Sequence, residues 1–191
     1  MRYRCLSKEE YRLRGYSITG LRFRDILPIK DWRNDQLSVL RQNVLLTDAD
    51  QLKYYNEVIE PSFHSERPGL ILFSFLLSGE CIGYGGLTNI DWHSRRAEIS
   101  FLLETARIYD SGQYQKDFAN FLMLAKKVAF EELGLNRLFT ETFDIRPVHV
   151  DVLNKSGFIL EGRMREHVYV DGRFVDSLLH GFIKEYYNAE R

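Results

Sequence analysis

The residues best suited to chemistry are a short segment before a helix and a tripeptide nearer the N-terminus. The apolar spacing over 113–133 predicts an amphipathic helix that begins after Ser111-Gly112. Free N–H groups at a helix N-terminus point the same way, and a diphosphate satisfies both these donors and the helix dipole. In Trp32-Arg33-Asn34, arginine and asparagine suit phosphate and hydroxyl recognition, and tryptophan offers a flat apolar face. Alternatively, Trp32 belongs to the core and Arg33 to a surface pair.

The composition and the missing motifs exclude several classes of protein. The 191 residues carry 26 Lys and Arg against 27 Asp and Glu, a net charge of −1, so a broadly basic nucleic-acid surface is not expected. Cys5 and Cys81 are too far apart for a disulfide framework or a zinc ribbon, and the five histidines are too scattered for a metal site. The G-x-x-x-x-G-K-[ST], G-x-S-x-G and H-E-x-x-H motifs do not occur. We therefore expect small, roughly neutral partners, with no nucleic acid and no metal.

No segment predicts secretion or membrane insertion. The first sixteen residues lack the apolar stretch of a signal peptide, and no run of 18 apolar residues occurs. We therefore expect a cytoplasmic chain without a membrane segment, with a homodimer as one open assembly. Residues 1–15 are rich in Arg and Lys, which predicts a basic arm that is either solvated or binds phosphate. Because no repeat or linker follows, residues 16–191 should form a single domain.

Apolar periodicity predicts the elements that must position these residues. Alternating apolar residues or short apolar runs indicate strands, Asp171-Gly172 predicts a tight hairpin, and a capping box at Thr47 predicts a helix that Pro61 ends. Hairpins join the early strands and helices connect only the later ones, so a mostly antiparallel sheet in a mixed α/β domain is expected. The predicted strands are 16–23, 70–77, 81–87, 97–103, 137–143, 158–170 and 173–183. The predicted helices are 47–59, 113–133 and 147–156, and the segments 25–34 and 37–46 are expected to be short helical or loop pieces.

Five short segments in this order carry a family resemblance. They are 97–103 (AEISFLL), 129–137 (AFEELGLNR), 152–158 (VLNKSGF), 161–163 (EGR) and 170–176 (VDGRFVD). Together they resemble the GNAT family of N-acetyltransferases, in the branch that contains the ribosomal-protein alanine acetyltransferases, over about residues 16–185. The resemblance implies a mostly antiparallel sheet of about seven strands flanked by about four helices. It also implies a V-shaped splay between strands 97–103 and 137–143.

This resemblance implies an acetyl-CoA site in the V. Main-chain groups of the strand would hold the pantetheine arm, and the loop before the next helix would hold the pyrophosphate. The family's loop has a second small residue, whereas this chain offers only Gly112 and places Tyr114 at that position. Lys116 can offset a lost amide contact, or it is merely solvated. The residues implied in coenzyme binding are Phe101, Leu102, Leu103, Gly112, Gln113, Tyr114, Gln115, Lys116 and Arg146.

The resemblance also points to catalytic residues. Acetyl transfer to an amine needs a route for the amine proton and stabilisation of the tetrahedral oxyanion. Glu98 is the candidate base, directly or through water, or else an exposed strand carboxylate. The tyrosine that many relatives use as an acid is Leu153 here. Four residues upstream, His149 suits an acid, a base or a hydrogen-bond donor to the coenzyme, or else is a helix-surface residue without a role.

Three functions are compatible with these residues. The tripeptide at 32–34 resembles that of acetyltransferases of amino-sugar nucleotides, so the first is acetyl transfer from acetyl-CoA to the primary amine of such a sugar or of another small molecule. The second is acetylation of a protein N-terminus, as the similar branch implies. The third, motivated by the altered loop at 111–116, is a non-catalytic coenzyme-binding or scaffold module. Arg163, Arg165 and His167 form a basic stripe that faces either an acidic acceptor or water.

Overall fold

The fold is built on one sheet of eight strands, seen in a computed structural model that describes residues 1–189. The strands are β1 (Glu10–Leu13), β2 (Tyr16–Gly20), β3 (Ile71–Leu77), β4 (Glu80–Asp91), β5 (Arg96–Leu103), β6 (Arg137–Phe143), β7 (Ile159–Val170) and β8 (Arg173–Ile183). Their order in the sheet is β1-β2-β3-β4-β5-β6-β8-β7, and each neighbouring pair is antiparallel except β5 with β6. The predicted mixed α/β fold with a mostly antiparallel sheet is confirmed, with one strand more than expected.

Helices cover the sheet and carry part of the site. They are α1 (Ile26–Asp35), α2 (Asp48–Tyr54), α3 (Glu60–His64), α4 (Ser111–Lys127), α5 (Pro147–Lys155) and α6 (Lys184–Ala189). A π-helical turn, Tyr55–Ile59, joins α2 to α3, and a second one, Val128–Glu132, extends α4. Within residues 1–189, no helix combines the length and the apolar character that crossing a membrane requires.

The expected end of the second helix at Pro61 is wrong. Thr47 and Asp50 form the predicted capping box, but the helical chain continues past Pro61 to His64. A proline lacks the N–H and crowds the carbonyl four residues earlier, and the wider π turn just before Pro61 accommodates that conflict. In the segment 37–46, expected to be a short helical or loop piece, Leu37–Val39 forms a turn of 3₁₀ helix.

Residues 1–15 belong to the sheet and core, and the expected solvated arm is not found. β1 pairs with β2 along its whole length, and Tyr3, Leu6 and Tyr11 are buried. The Tyr3 hydroxyl donates to the Leu72 carbonyl (3.0 Å) and accepts from the Leu72 N–H (2.8 Å). The basic residues of this segment alternate with buried aromatic ones. One face of the segment therefore packs on the core although its overall composition is basic.

The splay that the resemblance implied is present between β5 and β6. The two strands pair in parallel only at Arg96–Arg137, Ala97–Leu138 and Glu98–Phe139, and they diverge beyond Glu98. Phe118 on the apolar face of α4 stacks on Phe101 of β5 with ring centroids 4.5 Å apart, which fixes the helix beside the opening. The edge of β5 that faces β6 is therefore left without a strand partner at the mouth of the V.

Candidate active site

Two connected cavities occupy the V. The splay cavity, of about 220 Å³, lies where β5 and β6 diverge, and Glu98 and His149 both line it. The helix-end cavity, of about 320 Å³, lies between the first turns of α4 and α5. Both cavities are lined by Val39, Arg146 and His149, so they meet at the start of α5. The fold thus brings together predicted residues from β5 and α5 that are about fifty positions apart in the chain.

Glu98 is 7% exposed and is surrounded by N–H donors. Arg41 Nη2 lies 2.5 Å from Glu98 Oε1, and Asn89 Nδ2 donates to Oε2 at 2.7 Å. The same Arg41 nitrogen also donates to Glu141 on β6 at 3.0 Å, so one half-exposed guanidinium bridges two carboxylates across the V. Arg41, Asn89 and Glu141 were not predicted as site residues, because only the tertiary fold brings their segments to Glu98.

A chain of three buried or part-buried groups sets the protonation of His149. Arg146 Nη2 donates to the Tyr114 hydroxyl at 2.9 Å, and that hydroxyl lies 2.7 Å from His149 Nδ1. Because Arg146 has no acceptor to offer, the tyrosine hydrogen is free to be donated to Nδ1, which places the imidazole proton on Nε2. The ring also stacks on Phe118 with centroids 4.1 Å apart.

The charge state of His149 follows from its surroundings. Burial lowers the pKa of His149 well below its ordinary value, and the positive charge of Arg146 and the proximity of His180 act in the same direction. Burial also raises the pKa of Tyr114, which keeps its hydroxyl protonated. At neutral pH His149 is therefore a neutral ring whose Nε2–H has no hydrogen-bond partner within residues 1–189 and which lines both cavities.

In the first turn of α4, the N–H groups of residues 111–113 have no intrahelical acceptor, and the cap satisfies one of these three. Asp110 caps the helix, with its carboxylate accepting the Gln113 N–H at 3.0 Å and its carbonyl accepting the Tyr114 N–H at 2.9 Å. The N–H groups of Ser111 and Gly112 remain for a ligand. The exposed carboxylate of Asp110 stands beside them, so an anion bound there meets a like charge.

The other residues expected to bind the coenzyme differ in burial and in the groups that they leave accessible. Phe101, Leu102 and Leu103 are buried, so β5 can offer only main-chain groups, and the Leu103 carbonyl already accepts from Gln36 Nε2 at 2.9 Å. The side-chain Nε2 of Gln113 donates a hydrogen bond to Asp117 Oδ1 at 2.6 Å. Gln115 is half-buried and Lys116 is exposed on α4.

The three residues of the tripeptide at 32–34 in α1 have different roles: two hold the structure and one lines a cavity. Trp32 packs against the core and does not line either of the two cavities. Asn34 fastens the following loop, with Nδ2 donating to the Leu46 carbonyl and Oδ1 accepting the Leu46 N–H, both at 2.9 Å. Arg33 reaches the splay cavity, where it is hydrogen-bonded to the Tyr84 hydroxyl. Of these three residues, Arg33 is therefore the one placed to touch an acceptor bound in the splay cavity.

The remaining predicted positions lie outside the two cavities. Leu153 is fully buried in the core, so the position of the family's tyrosine carries no polar group. Arg163 is paired with Asp144 at 2.5 Å and with Asp176 at 2.7 Å, which neutralises part of the basic stripe. Within residues 1–189, no three His, Cys, Asp or Glu side chains are grouped as a metal site would require.

Comparison with known proteins identifies the family. Residues 18–179 match the family model described as an acetyltransferase (GNAT) domain. The chain belongs to the GNAT acetyltransferase family. Membership confirms the predicted reaction class, acetyl-CoA-dependent N-acetyl transfer.

Similar proteins agree with this assignment. YdaF of Bacillus subtilis (strain 168), named provisionally as a ribosomal N-acetyltransferase, is 27% identical over 139 residues, which are 72% of this chain and 73% of that protein. A spermidine N-acetyltransferase from Vibrio cholerae, in a crystal structure with CoA and spermine, superimposes with a TM-score of 0.78 at 20% identity over 91% of this chain and 98% of that one. A dodecameric structure of spermidine N-acetyltransferase from the same organism has a TM-score of 0.72 at 17% identity over 91% of this chain and 96% of that one. At these identities the two structures establish a shared fold.

Proposed function

We propose that this GNAT acetyltransferase transfers the acetyl group of acetyl-CoA to the primary amine of a small molecule held in the splay cavity. The observation that carries the proposal is the placement of a carboxylate, Glu98, and a neutral imidazole, His149, on the walls of one cavity. A second cavity leads from that point to the free N–H groups of a helix N-terminus. Acid–base groups and an anion-binding end therefore follow one another along a continuous path.

The residues along this path fit acetyl-CoA, which supplies the acetyl group as an activated thioester. The unpaired edge of β5 beyond Glu98 offers main-chain donors and acceptors to an extended chain such as pantetheine. Ser111 and Gly112 offer two N–H groups to phosphate oxygens, although Asp110 opposes that binding. Arg146 lines both cavities and adds a positive charge between them.

His149 acts in this proposal as a hydrogen-bond donor. Its Nε2–H would stabilise the negative charge that develops on the reacting acetyl oxygen or on the departing sulfur. The neutral ring is held in this tautomer by Tyr114, so the donor is fixed before the reaction begins. The missing acid at Leu153 is thereby replaced by a donor on the same helix.

Glu98 acts as the acceptor of the amine proton. An ammonium that enters the splay cavity would compete with Arg41 for the carboxylate oxygens, because both present N–H donors to the same atoms. Glu141 can hold Arg41 when Glu98 is released, since it already accepts from the same nitrogen. The deprotonated amine is then the nucleophile that acetyl transfer requires.

The chemical nature of the acceptor rests on Arg33. A guanidinium on the cavity wall suits a phosphate, which supports an amino-sugar nucleotide, whereas Trp32 and Asn34 give that interpretation no further support. A second candidate, a protein N-terminus, is favoured by the similarity to the ribosomal-type protein of Bacillus subtilis. A polyamine is a third acceptor to test, because this chain shares its fold with the spermidine N-acetyltransferase of Vibrio cholerae.

The test is release of free CoA thiol with three acceptors. Acetyl-CoA is incubated with an amino-sugar nucleotide, with spermidine, and with a peptide that begins with alanine or serine. We expect turnover of a small amine that falls in the Glu98→Gln variant. Efficient acetylation of the peptide alone would overturn the small-molecule assignment. A chain that acetyl-CoA does not stabilise against heating would be a scaffold module rather than an enzyme.

A further inference from the structure

A third cavity, here the α1–α2 cavity, opens beside the splay cavity. It has a volume of about 340 Å³ and lies between helices α1 and α2 and the sheet. Arg33, Thr88 and Ser100 line both this cavity and the splay cavity, so a ligand can extend from one into the other past these side chains. Neither the amine chemistry nor the coenzyme path uses this space.

The α1–α2 cavity is lined by the side-chain amide of a largely buried glutamine. Gln51 of α2 is 5% exposed and lines the cavity, and its side-chain amide has no hydrogen-bond partner within residues 1–189. Its backbone is engaged normally, since the Gln51 N–H donates to the Thr47 carbonyl at 3.1 Å. The amide atoms are open to the cavity rather than sealed in the core, so a ligand that enters must offer them hydrogen bonds in place of those that water would make.

The other walls define what that partner can be. Ile29, Leu72 and the rings of Tyr54 and Tyr84 make most of the cavity apolar, and aromatic walls favour a flat ring. Asp50, the carboxylate of this cavity, is exposed and is bonded to the N-cap at Thr47.

Charge excludes the two ionic alternatives. A cationic tail entering this space would lose its hydration without a buried carboxylate to replace it. An anionic tail would be drawn instead to Arg33, at the junction of the two cavities, and would stop there.

We propose that the α1–α2 cavity is a subsite for the distal part of the acceptor, and that this part is an uncharged planar ring with an amide-type edge that pairs with Gln51. An amide edge offers a carbonyl beside an N–H, and the Gln51 side chain offers the complementary N–H and carbonyl. Nucleobases such as uracil and aryl amides such as benzamide share this chemistry. The proposal rests on the proposed function, because it places the amine of the same ligand at Glu98.

The test measures binding of ring probes without turnover. Uridine, N3-methyluridine and benzamide are titrated into the whole protein, and affinity is followed by chemical shifts of the protein amides. We expect uridine or benzamide to shift amides of α1 and α2. If uridine binds, N3-methyluridine should bind about tenfold more weakly, because methylation removes the ring donor. Binding of benzamide but not of uridine would keep the subsite and identify the ring as an aryl amide.

A matched pair of variants tests the role of Gln51. Gln51→Leu should weaken the bound probe about tenfold, and if that probe is uridine it should abolish the difference between uridine and its methylated form. Asn56→Leu removes an exposed amide two residues beyond α2 and should leave binding unchanged. Stabilisation by acetyl-CoA, measured on the same samples, tests the coenzyme site separately. If both rings fail to bind while acetyl-CoA stabilises the protein, the subsite is refuted and the proposed function stands. Equal binding of the ring probes by the Gln51→Leu variant would refute the pairing.

Discussion

The Tyr114→Phe variant tests the chain of groups that sets the tautomer of His149. The change removes only the hydroxyl that accepts from Arg146 at 2.9 Å and contacts His149 Nδ1 at 2.7 Å, and it leaves the ring packed beside Phe118. Nδ1 is then buried without its partner, which costs about 1–3 kcal/mol. For a chain of this size each kcal/mol lowers the melting temperature by about 2–4 °C, so a decrease of roughly 2–12 °C is expected.

The same variant should affect turnover more than coenzyme affinity. Without Tyr114 the imidazole proton is free to move to Nδ1, and the donor that faces the cavity is lost in part of the molecules. Removing an oxyanion donor outright costs about 10²–10³ in kcat, so losing it in part should cost about tenfold. The KM for acetyl-CoA should change little, because Arg146 and the first turn of α4 are retained.

A second background separates this tautomer effect from simple damage. In His149→Gln the terminal amide supplies an N–H near the former Nε2 whatever Tyr114 does. Adding Tyr114→Phe to that variant should therefore lower kcat by less than about twofold, an interaction that a double-mutant cycle measures. The reasoning is refuted if Tyr114→Phe is folded and fully active, or if it costs as much kcat in the glutamine background as alone.

Three more outcomes are expected. Asp110→Asn keeps a side chain that caps α4 but removes the carboxylate beside the free N–H groups, so acetyl-CoA should bind about threefold more tightly in calorimetry, and weaker binding would contradict the repulsion. Glu98→Gln should lower kcat about tenfold with an unchanged Kd for acetyl-CoA, and unchanged kinetics across pH would remove Glu98 from the mechanism. Burial lowers the pKa of His149 and of His180 in the folded state, so the unfolded chain binds more protons below about pH 6.5. The contribution of these two neutral histidines to the free energy of unfolding is therefore fully present above that pH and is lost as the pH falls. Urea unfolding should show this loss between pH 6.5 and 5, and it should be smaller in His149→Gln, where His180 alone retains the effect; an equal loss would exclude His149.

Local patterns predicted the elements whose signal lies within a few neighbouring residues. The helix that begins at Ser111 and the strand with Glu98 follow from apolar periodicity, and the hairpin at Asp171 and Gly172 has the two positive φ angles, 48° and 82°, that the dipeptide indicates. The prediction that a helix ends at Pro61 is wrong, because the π turn that lets the helix continue depends on tertiary packing, which a local sequence pattern does not contain. The prediction of a basic arm at 1–15 is wrong because Tyr3 and Tyr11, which lie among the charged residues of this segment, are buried in the core.

In the candidate site, too, some features were predictable from the sequence and others depend on the tertiary structure. The chain by itself determined the family and the reaction class and suggested Glu98 and His149 as candidates, because motif order and residue type are properties of sequence. Only the tertiary structure decided that Arg41 reaches Glu98 at 2.5 Å and that Tyr114 sets the tautomer of His149. These contacts join residues 57 and 35 positions apart, and their energies depend on burial and distance, which exist only once the sheet and helices have packed.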